Sequence, residues 1–195
     1  MRKRVAIILM AAGLILIAIS ASFLIYNNYE NTRAEERAEE LMGLIHGYVD
    51  ENSSDIPADP FDTEMVVKEI DGYGYVGYIS VPVIDMELPV MSECDDERLK
   101  IAPCRDYGST KTDNLIIAGH NYRIHFGYIS NLTAGDIVMF TDMENTLSTY
   151  RVNSVEILLS TDFDKVKDRG DDLVLYTCNY SGTKRIVVRC SYVEN

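Results

Sequence analysis

Tryptophan is absent from the 195 residues, and histidine, cysteine and proline are scarce, with three, four and five copies. The four cysteines, Cys94, Cys104, Cys178 and Cys190, contain no Cys-x-x-Cys pair and no grouping with histidine at metal-ligand spacing. That excludes a zinc ribbon and a small disulfide scaffold. Basic side chains are also outnumbered: 18 Lys and Arg stand against 31 Asp and Glu, a formal net charge of −13. A chain this acidic lacks the broad positive face that phosphates require, so nucleic acid is not an expected partner. There is no internal repeat and no low-complexity tract. With 47% hydrophobic and 25% charged residues the chain is able to bury a core and is not intrinsically disordered.

Charge is missing altogether from Val5 to Tyr26. A helix of that length spans about 33 Å, enough to cross a hydrocarbon layer of about 30 Å. Arg2, Lys3 and Arg4 precede it. By the positive-inside tendency this cluster stays in the cytoplasm and everything after Tyr26 faces outward. All the acidic residues lie on that outer side. A cleaved signal peptide is the competing reading, with Ala18, Ser20 and Ala21 as small residues near a cleavage point, but the apolar run exceeds a signal peptide's usual 7–15 residues. Either way the folded part is extracytoplasmic. That location permits disulfides without requiring them, and Cys94 with Cys104 is the pair that could form one.

The expected organisation is a cytoplasmic N-terminus (1–4), a transmembrane anchor (5–26), a stalk helix with linker (27–72) and a folded domain (73–195). Ala34, Ala38, Leu41, Ile45 and Tyr48 or Val49 recur at steps of three and four, which predicts an amphipathic helix over 31–50. A stalk packed on the domain is preferred over a regulatory flap. Residues 50–64, with Pro57, Pro60 and several acids, read as an irregular connection. From Tyr73 onward the signals are short strands: 75–81, 83–90, 114–119, 137–140, 149–158, 172–177 and 184–192. Many short strands with little helix predict a mainly β, closed or nearly closed barrel.

Two places stand out chemically: Gly119-His120-Asn121, just past an apolar strand, and Thr177-Cys178, at the end of another. A histidine and a cysteine at strand ends can meet in space, and a thiolate nucleophile needs such a neighbour to take its proton or hold its charge. Arg185, on the following strand, offers a fixed fork of donors for an oxyanion or a substrate carbonyl. Arg189 competes for that role, and alternation does not separate the two, because residues four apart share a strand face.

Local strings sharpen this. Gly77-Tyr78-Ile79-Ser80-Val81-Pro82-Val83-Ile84 with Leu88-Pro89-Val90, then Ile117-Ala118-Gly119-His120-Asn121, Asn131-Leu132 with Gly135-Asp136, Leu175-Tyr176-Thr177-Cys178, and Lys184-Arg185-Ile186-Val187-Val188 follow one another in order. Together they resemble the sortases. That resemblance covers residues 73–192 and implies an eight-stranded sortase β-barrel with short helices, working as a cysteine transpeptidase outside a Gram-positive membrane.

By matching positions, Cys178 is the expected nucleophile, His120 the general acid/base and Arg185 the group holding the substrate carbonyl or oxyanion. Arg185 is preferred over Arg189 because Lys-Arg-Ile-Val-Val matches the family string. Thr177 is expected to bond the substrate backbone, and Asn121 to orient His120 or touch substrate. The implied partners are secreted proteins ending in a Leu-Pro-x-Thr-Gly-like (LPXTG-like) sorting motif. The acceptor is an amine, from a lipid-linked peptidoglycan precursor or a pilin lysine. Cys178 attacks the motif's Thr-like carbonyl, a thioester forms, and the amine resolves it. Ping-pong kinetics and a bell-shaped pH profile follow from that scheme.

No cofactor or metal is implied. The acids at 162, 164, 168, 171 and 172 invite a calcium reading, but Lys165, Lys167 and Arg169 among them favour a solvated loop. His125 is a loop residue or a groove lining, and His46 a structural residue of the stalk. The subclass reads as class B or class D-like. Gly-His-Asn and the Cys strand suggest B, the short interval from Leu158 to Asp172 leaves little room for the long class B helix, and no apolar segment follows Asn195 as in the class C pattern. Two rival functions stay open at this level: a non-catalytic extracellular binding domain, and a cysteine protease that hydrolyses the same motif.

Overall fold

Arg2–Glu51 forms one unbroken helix, α1, in the computed structural model, which describes residues 2–51, 63–162, 164–167, 170–179 and 182–194. The expected anchor and stalk are therefore two parts of one element. The first part, Lys3–Tyr26, is long and apolar enough to cross a membrane and is exposed along its length. The second part is amphipathic. Ala38, Leu41, Met42, Ile45 and Val49 are buried at helical spacing, which draws this half of α1 onto the barrel and is worth about 1.5–3 kcal/mol for each large side chain. Most of the expected linker, 50–64, lies outside the described residues.

Nine strands follow: β1 (Lys68–Ile70), β2 (Tyr73–Val81), β3 (Met86–Met91), β4 (Cys104–Tyr107), β5 (Leu115–Gly119), β6 (Ile137–Asp142), β7 (Leu147–Leu159), β8 (Leu173–Cys178) and β9 (Lys184–Tyr192). They run in the order β1-β2-β3-β4-β5-β8-β9-β7-β6, and β6 pairs back onto β2. That pairing closes β2 to β9 into an eight-stranded barrel, the architecture expected from the sequence resemblance. β1 is an additional hairpin arm, antiparallel to the start of β2. It lies inside the segment expected to be linker. β4 has no counterpart among the expected strands.

Closure depends on one glycine. Gly77 (φ +148°) sits at the β2 bulge, where an added Cβ would lie 2.1 Å from the Thr141 carbonyl oxygen of β6. A side chain there would push the closing strand away.

Alternation along the strands sorts the apolar residues into layers. Val76, Ile79, Leu115, Ile117, Phe140, Val152, Leu173, Leu175 and Val188 fill the barrel. One outer cluster is capped by α1 and includes Leu41, Ile45, Tyr75, Met91 and Cys104. A second comprises Ile116, Ala118, Val166, Val174, Tyr176 and Val187. It covers the outward face of β5, β8 and β9, which are adjacent in the barrel.

Candidate active site

β5 and β8 run parallel, paired from Leu115↔Leu173 to Gly119↔Thr177. The next residue on each strand, His120 and Cys178, therefore emerges where the ladder ends, on neighbouring strands spaced about 4.8 Å apart. On the other side β9 runs antiparallel to β8, with Arg185 directly opposite Cys178. Cys178 shares its strand face with Val174 and Tyr176, and Arg185 shares its face with Val187; all three apolar residues lie in the outer cluster. Thiol, imidazole and guanidinium thus leave the same face of three consecutive strands at one end of the barrel. Cys178 is exposed, while His120 and Arg185 are half-buried.

Contacts around the histidine fix its ring. The backbone N–H of Asn121 donates to His120 Nδ1 at 3.1 Å, and Asn121 Oδ1 lies 3.0 Å from the same nitrogen. The two contacts suit two protonation states. A neutral ring accepts at Nδ1 and carries its proton on Nε2, and an imidazolium donates Nδ1–H to the amide oxygen. The Tyr122 ring stacks on the imidazole with centroids 4.0 Å apart and planes 4° from parallel. Gly119 lets the chain turn into this loop. A Cβ there would meet the Phe126 ring at 2.4 Å, so the Phe126 side chain occupies the space under the turn. Arg185 lies over the Tyr176 ring, 5.8 Å from its centroid, and its Nη1 donates to the Ser160 carbonyl at 3.5 Å.

The sequence model of the sortase domain matches residues 79–193, more than half of the protein. The chain belongs to the sortase family. It is 27% identical over 162 residues to sortase A of Bacillus anthracis, covering 77% of each chain. Among solved structures it resembles sortase C1 of Streptococcus agalactiae, with 26% identity and TM-score 0.56 over 65% of this chain and 72% of that one. Sortase A of Listeria monocytogenes matches with 26% identity and TM-score 0.55 over 62% and 88%. Sortase C of Streptococcus pneumoniae, at 20% identity and TM-score 0.59 over 82% and 97%, shares the fold. This sortase is a cysteine transpeptidase.

Geometry separates the two arginines of β9. Arg189 pairs with Val174, four residues before Cys178 and roughly 13 Å away along the strand. It is 2% exposed and surrounded by acceptors: Nη1 meets Asp171 Oδ2 at 2.6 Å, Nη2 donates to the Lys165 carbonyl at 2.7 Å, and Nε lies 3.4 Å from Glu156 Oε2 as an ion pair without a hydrogen bond. In this sortase Arg189 ties β9 to β7 and to the loop carrying the single-turn helix α2 (Asp164–Lys167). Two other acids of that loop are also occupied. Asp162 binds Lys165, and Asp172 Oδ2 accepts the Tyr192 N–H. Arg189→Met should destabilise the fold by about 3–5 kcal/mol, since it leaves Asp171 and Glu156 without their cation. Urea denaturation of wild type and variant measures this.

Thr177 is not brought to the site by its side chain. It has the inward parity of Leu173 and Leu175, is 1% exposed, and its hydroxyl has no hydrogen-bond partner among the described residues. Two contributors carried no clear sequence signal: Tyr122, two residues past His120, and Tyr176, two before Cys178. The second was accessible in principle, because alternate residues of a strand share a face.

His125 lies behind the stack, its ring 5.5 Å from that of Tyr122, and is 1% exposed. Burial holds its pKa down to about 4, so it is neutral and adds no positive charge behind His120. The unfolded chain titrates near 6.5. Above that value both states are neutral. Between about 6.5 and 4 the unfolded chain binds a proton that the folded one excludes, so stability falls with pH by about 3 kcal/mol in all. Denaturant midpoints at pH 7.5 and 4.5 should show this fall, and His125→Gln should flatten it.

Proposed function

We propose that this sortase is anchored by Val5–Tyr26 with its barrel outside the cell, and cleaves an LPXTG-like sorting motif near the C-terminus of secreted proteins. Cys178 attacks the carbonyl carbon of the motif's Thr-like residue. Arg185 donates to the oxygen on which negative charge develops. His120 gives a proton from Nε2 to the departing amine, and the peptide remains as a thioester on Cys178. An acceptor amine, from a peptidoglycan precursor or a pilin lysine, then attacks the thioester and transfers its proton to His120. Asn121 and Tyr122 hold the ring, Asn121 by accepting Nδ1–H and Tyr122 by stacking, so Nε2 points at the leaving group in both half-reactions.

The observation that carries this reading is the strand register. It sets Cys178 between His120 at the end of the neighbouring parallel strand and Arg185 directly across the antiparallel one. The 24-residue stretch Lys3–Tyr26 of α1, apolar enough to cross a membrane, supports the anchoring.

The test uses the full chain in detergent with a fluorogenic LPXTG peptide and a panel of amines. These are glycine peptides, a diaminopimelate-containing stem peptide and a lysine-containing pilin peptide. Mass spectrometry should find the peptide joined to one of them, and a thioester on Cys178 when amine is omitted. Hydrolysis alone, with no ligated product from any amine, would reassign the chemistry to a protease.

A further inference from the structure

β3 and β4 are parallel neighbours, paired at Met91↔Cys104. The chain returns between them through 92–103, whose shape is fixed internally. Asp95 Oδ1 accepts the N–H groups of Glu97 (3.0 Å) and Arg98 (2.8 Å), the Asp95 carboxylate pairs with the Arg98 guanidinium, and Arg98 also meets Glu93 at 2.9 Å. This return brings Cys94 back against the first residue of β4. Cys104 Sγ donates to the Ala102 carbonyl at 3.3 Å, and Cys94 packs against the buried cluster that contains Cys104, within hydrogen-bonding reach of its thiol. Both are free thiols in this structure. Cys94 and Leu99 also pack on the outer cluster that contains Ala118 and Tyr176, the residues two before His120 and Cys178. The segment between the two cysteines is therefore a wall of the catalytic face.

We propose that Cys94 and Cys104 are an oxidisable pair that closes to an intrachain disulfide, stapling the 92–103 wall against the face that carries Cys178. An oxidising exterior would supply the conditions, so the physiological side of the inference rests on the outward orientation proposed above; the chemistry itself does not. The required oxidant is a low-molecular-mass disulfide. Cys94 is the half-exposed member, and when it ionises the Cys104 S–H turns from the Ala102 carbonyl to the Cys94 thiolate, which holds the Cys94 thiol below the ordinary cysteine range. Its thiolate attacks the oxidant, forming a mixed disulfide and expelling one thiolate. Cys104, buried and held protonated by its neighbour and by desolvation, then loses its proton to solvent and attacks the Cys94 sulfur. The Cys94–Cys104 bond forms and the second thiolate leaves. Two electrons pass from the pair to the oxidant, and both protons end on the two released thiols.

The test is independent of both topology and activity. The full chain is purified in detergent as Cys178→Ala, which removes the exposed competing thiol, and is equilibrated with oxidised or reduced glutathione. Trypsin cuts at Arg98, Lys100 and Arg105, so the disulfide appears as peptide 69–98 joined to peptide 101–105. The expected result is that linked species in the oxidised sample, together with a melting temperature about 10 °C above the reduced sample, as ring closure over a loop of this size predicts. Cys94→Ser in the same background should show neither. A glutathione adduct on Cys94 that never resolves, two alkylatable thiols after oxidation, or a linked pair that lowers the melting temperature would each overturn the proposal.

Discussion

Cys178→Ala should fold like the wild type and transfer nothing. The side chain removed is exposed at the end of β8, outside the barrel core and the ladder's last interior contact at Thr177. The change in stability should therefore stay within about 0.5 kcal/mol. Turnover should fall by about 10⁵–10⁶-fold, the scale of deleting a covalent nucleophile whose partners act only through it. The informative measurement is the intermediate: intact-protein mass spectrometry of wild type with sorting peptide and no amine should show the acyl adduct, and the alanine variant should show none. Residual amine ligation by Cys178→Ala at more than background would remove Cys178 from the mechanism, since neither Cys94 nor the buried Cys104 and Cys190 lies at the end of β8 to replace it.

The same register explains how much of this was legible from sequence. β5 and β8 are continuous apolar runs because both their faces are covered, the inner by the barrel core and the outer by the cluster around Ala118 and Tyr176. Such runs read clearly as buried strands. Their chemistry-bearing ends, His120 and Cys178, stood out for that reason. β4, Cys-Arg-Asp-Tyr, did not. It is four residues long, has no apolar alternation, and is held by β5 and by one parallel contact to β3, so only the tertiary structure makes it a strand. β1 escaped notice for the same reason. α1 was legible in two parts but not as one helix, because the change from a fully apolar to an amphipathic pattern near Tyr26 marks a change of surroundings and not a break in hydrogen bonding.

Side-chain direction was only half legible. Thr177 belongs to the family string, but its buried hydroxyl faces the barrel interior, and string matching does not report parity. Arg185 and Arg189 have the same parity, and here the sequence was silent for a different reason. What separates them is position along β9 relative to a strand, β8, whose register only the fold provides. Arg189 meets Val174 and finds Asp171, Glu156 and a carbonyl around it. Arg185 meets Cys178 and lies over the face of Tyr176.

That difference makes the two arginines separable by experiment, and Arg185→Ala is the decisive variant. Arg185 is half-buried near the barrel rim, so its removal should cost little stability and shift the melting temperature by only a few degrees. Its loss from the transition state should be much larger. A guanidinium fixed beside the reacting carbon stabilises charge that exists only after the thiolate attacks, so the expected fall in kcat/KM is about 10²–10³-fold, or 2.7–4 kcal/mol. Because the interaction grows as the oxyanion forms, the fall should appear mainly in kcat, with KM changing by less than about tenfold. Thiol alkylation of Cys178 should persist, showing that the nucleophile is present and accessible. Arg185→Lys should recover only part of the loss, since a point-charged ammonium lacks the planar fork. Arg189→Met should show the opposite pattern: a large loss of stability and, at temperatures where it remains folded, turnover within a few-fold of wild type. If Arg189→Met stays folded and loses kcat while Arg185→Ala retains it, the oxyanion is held from further down β9, and the register-based assignment of Arg185 fails.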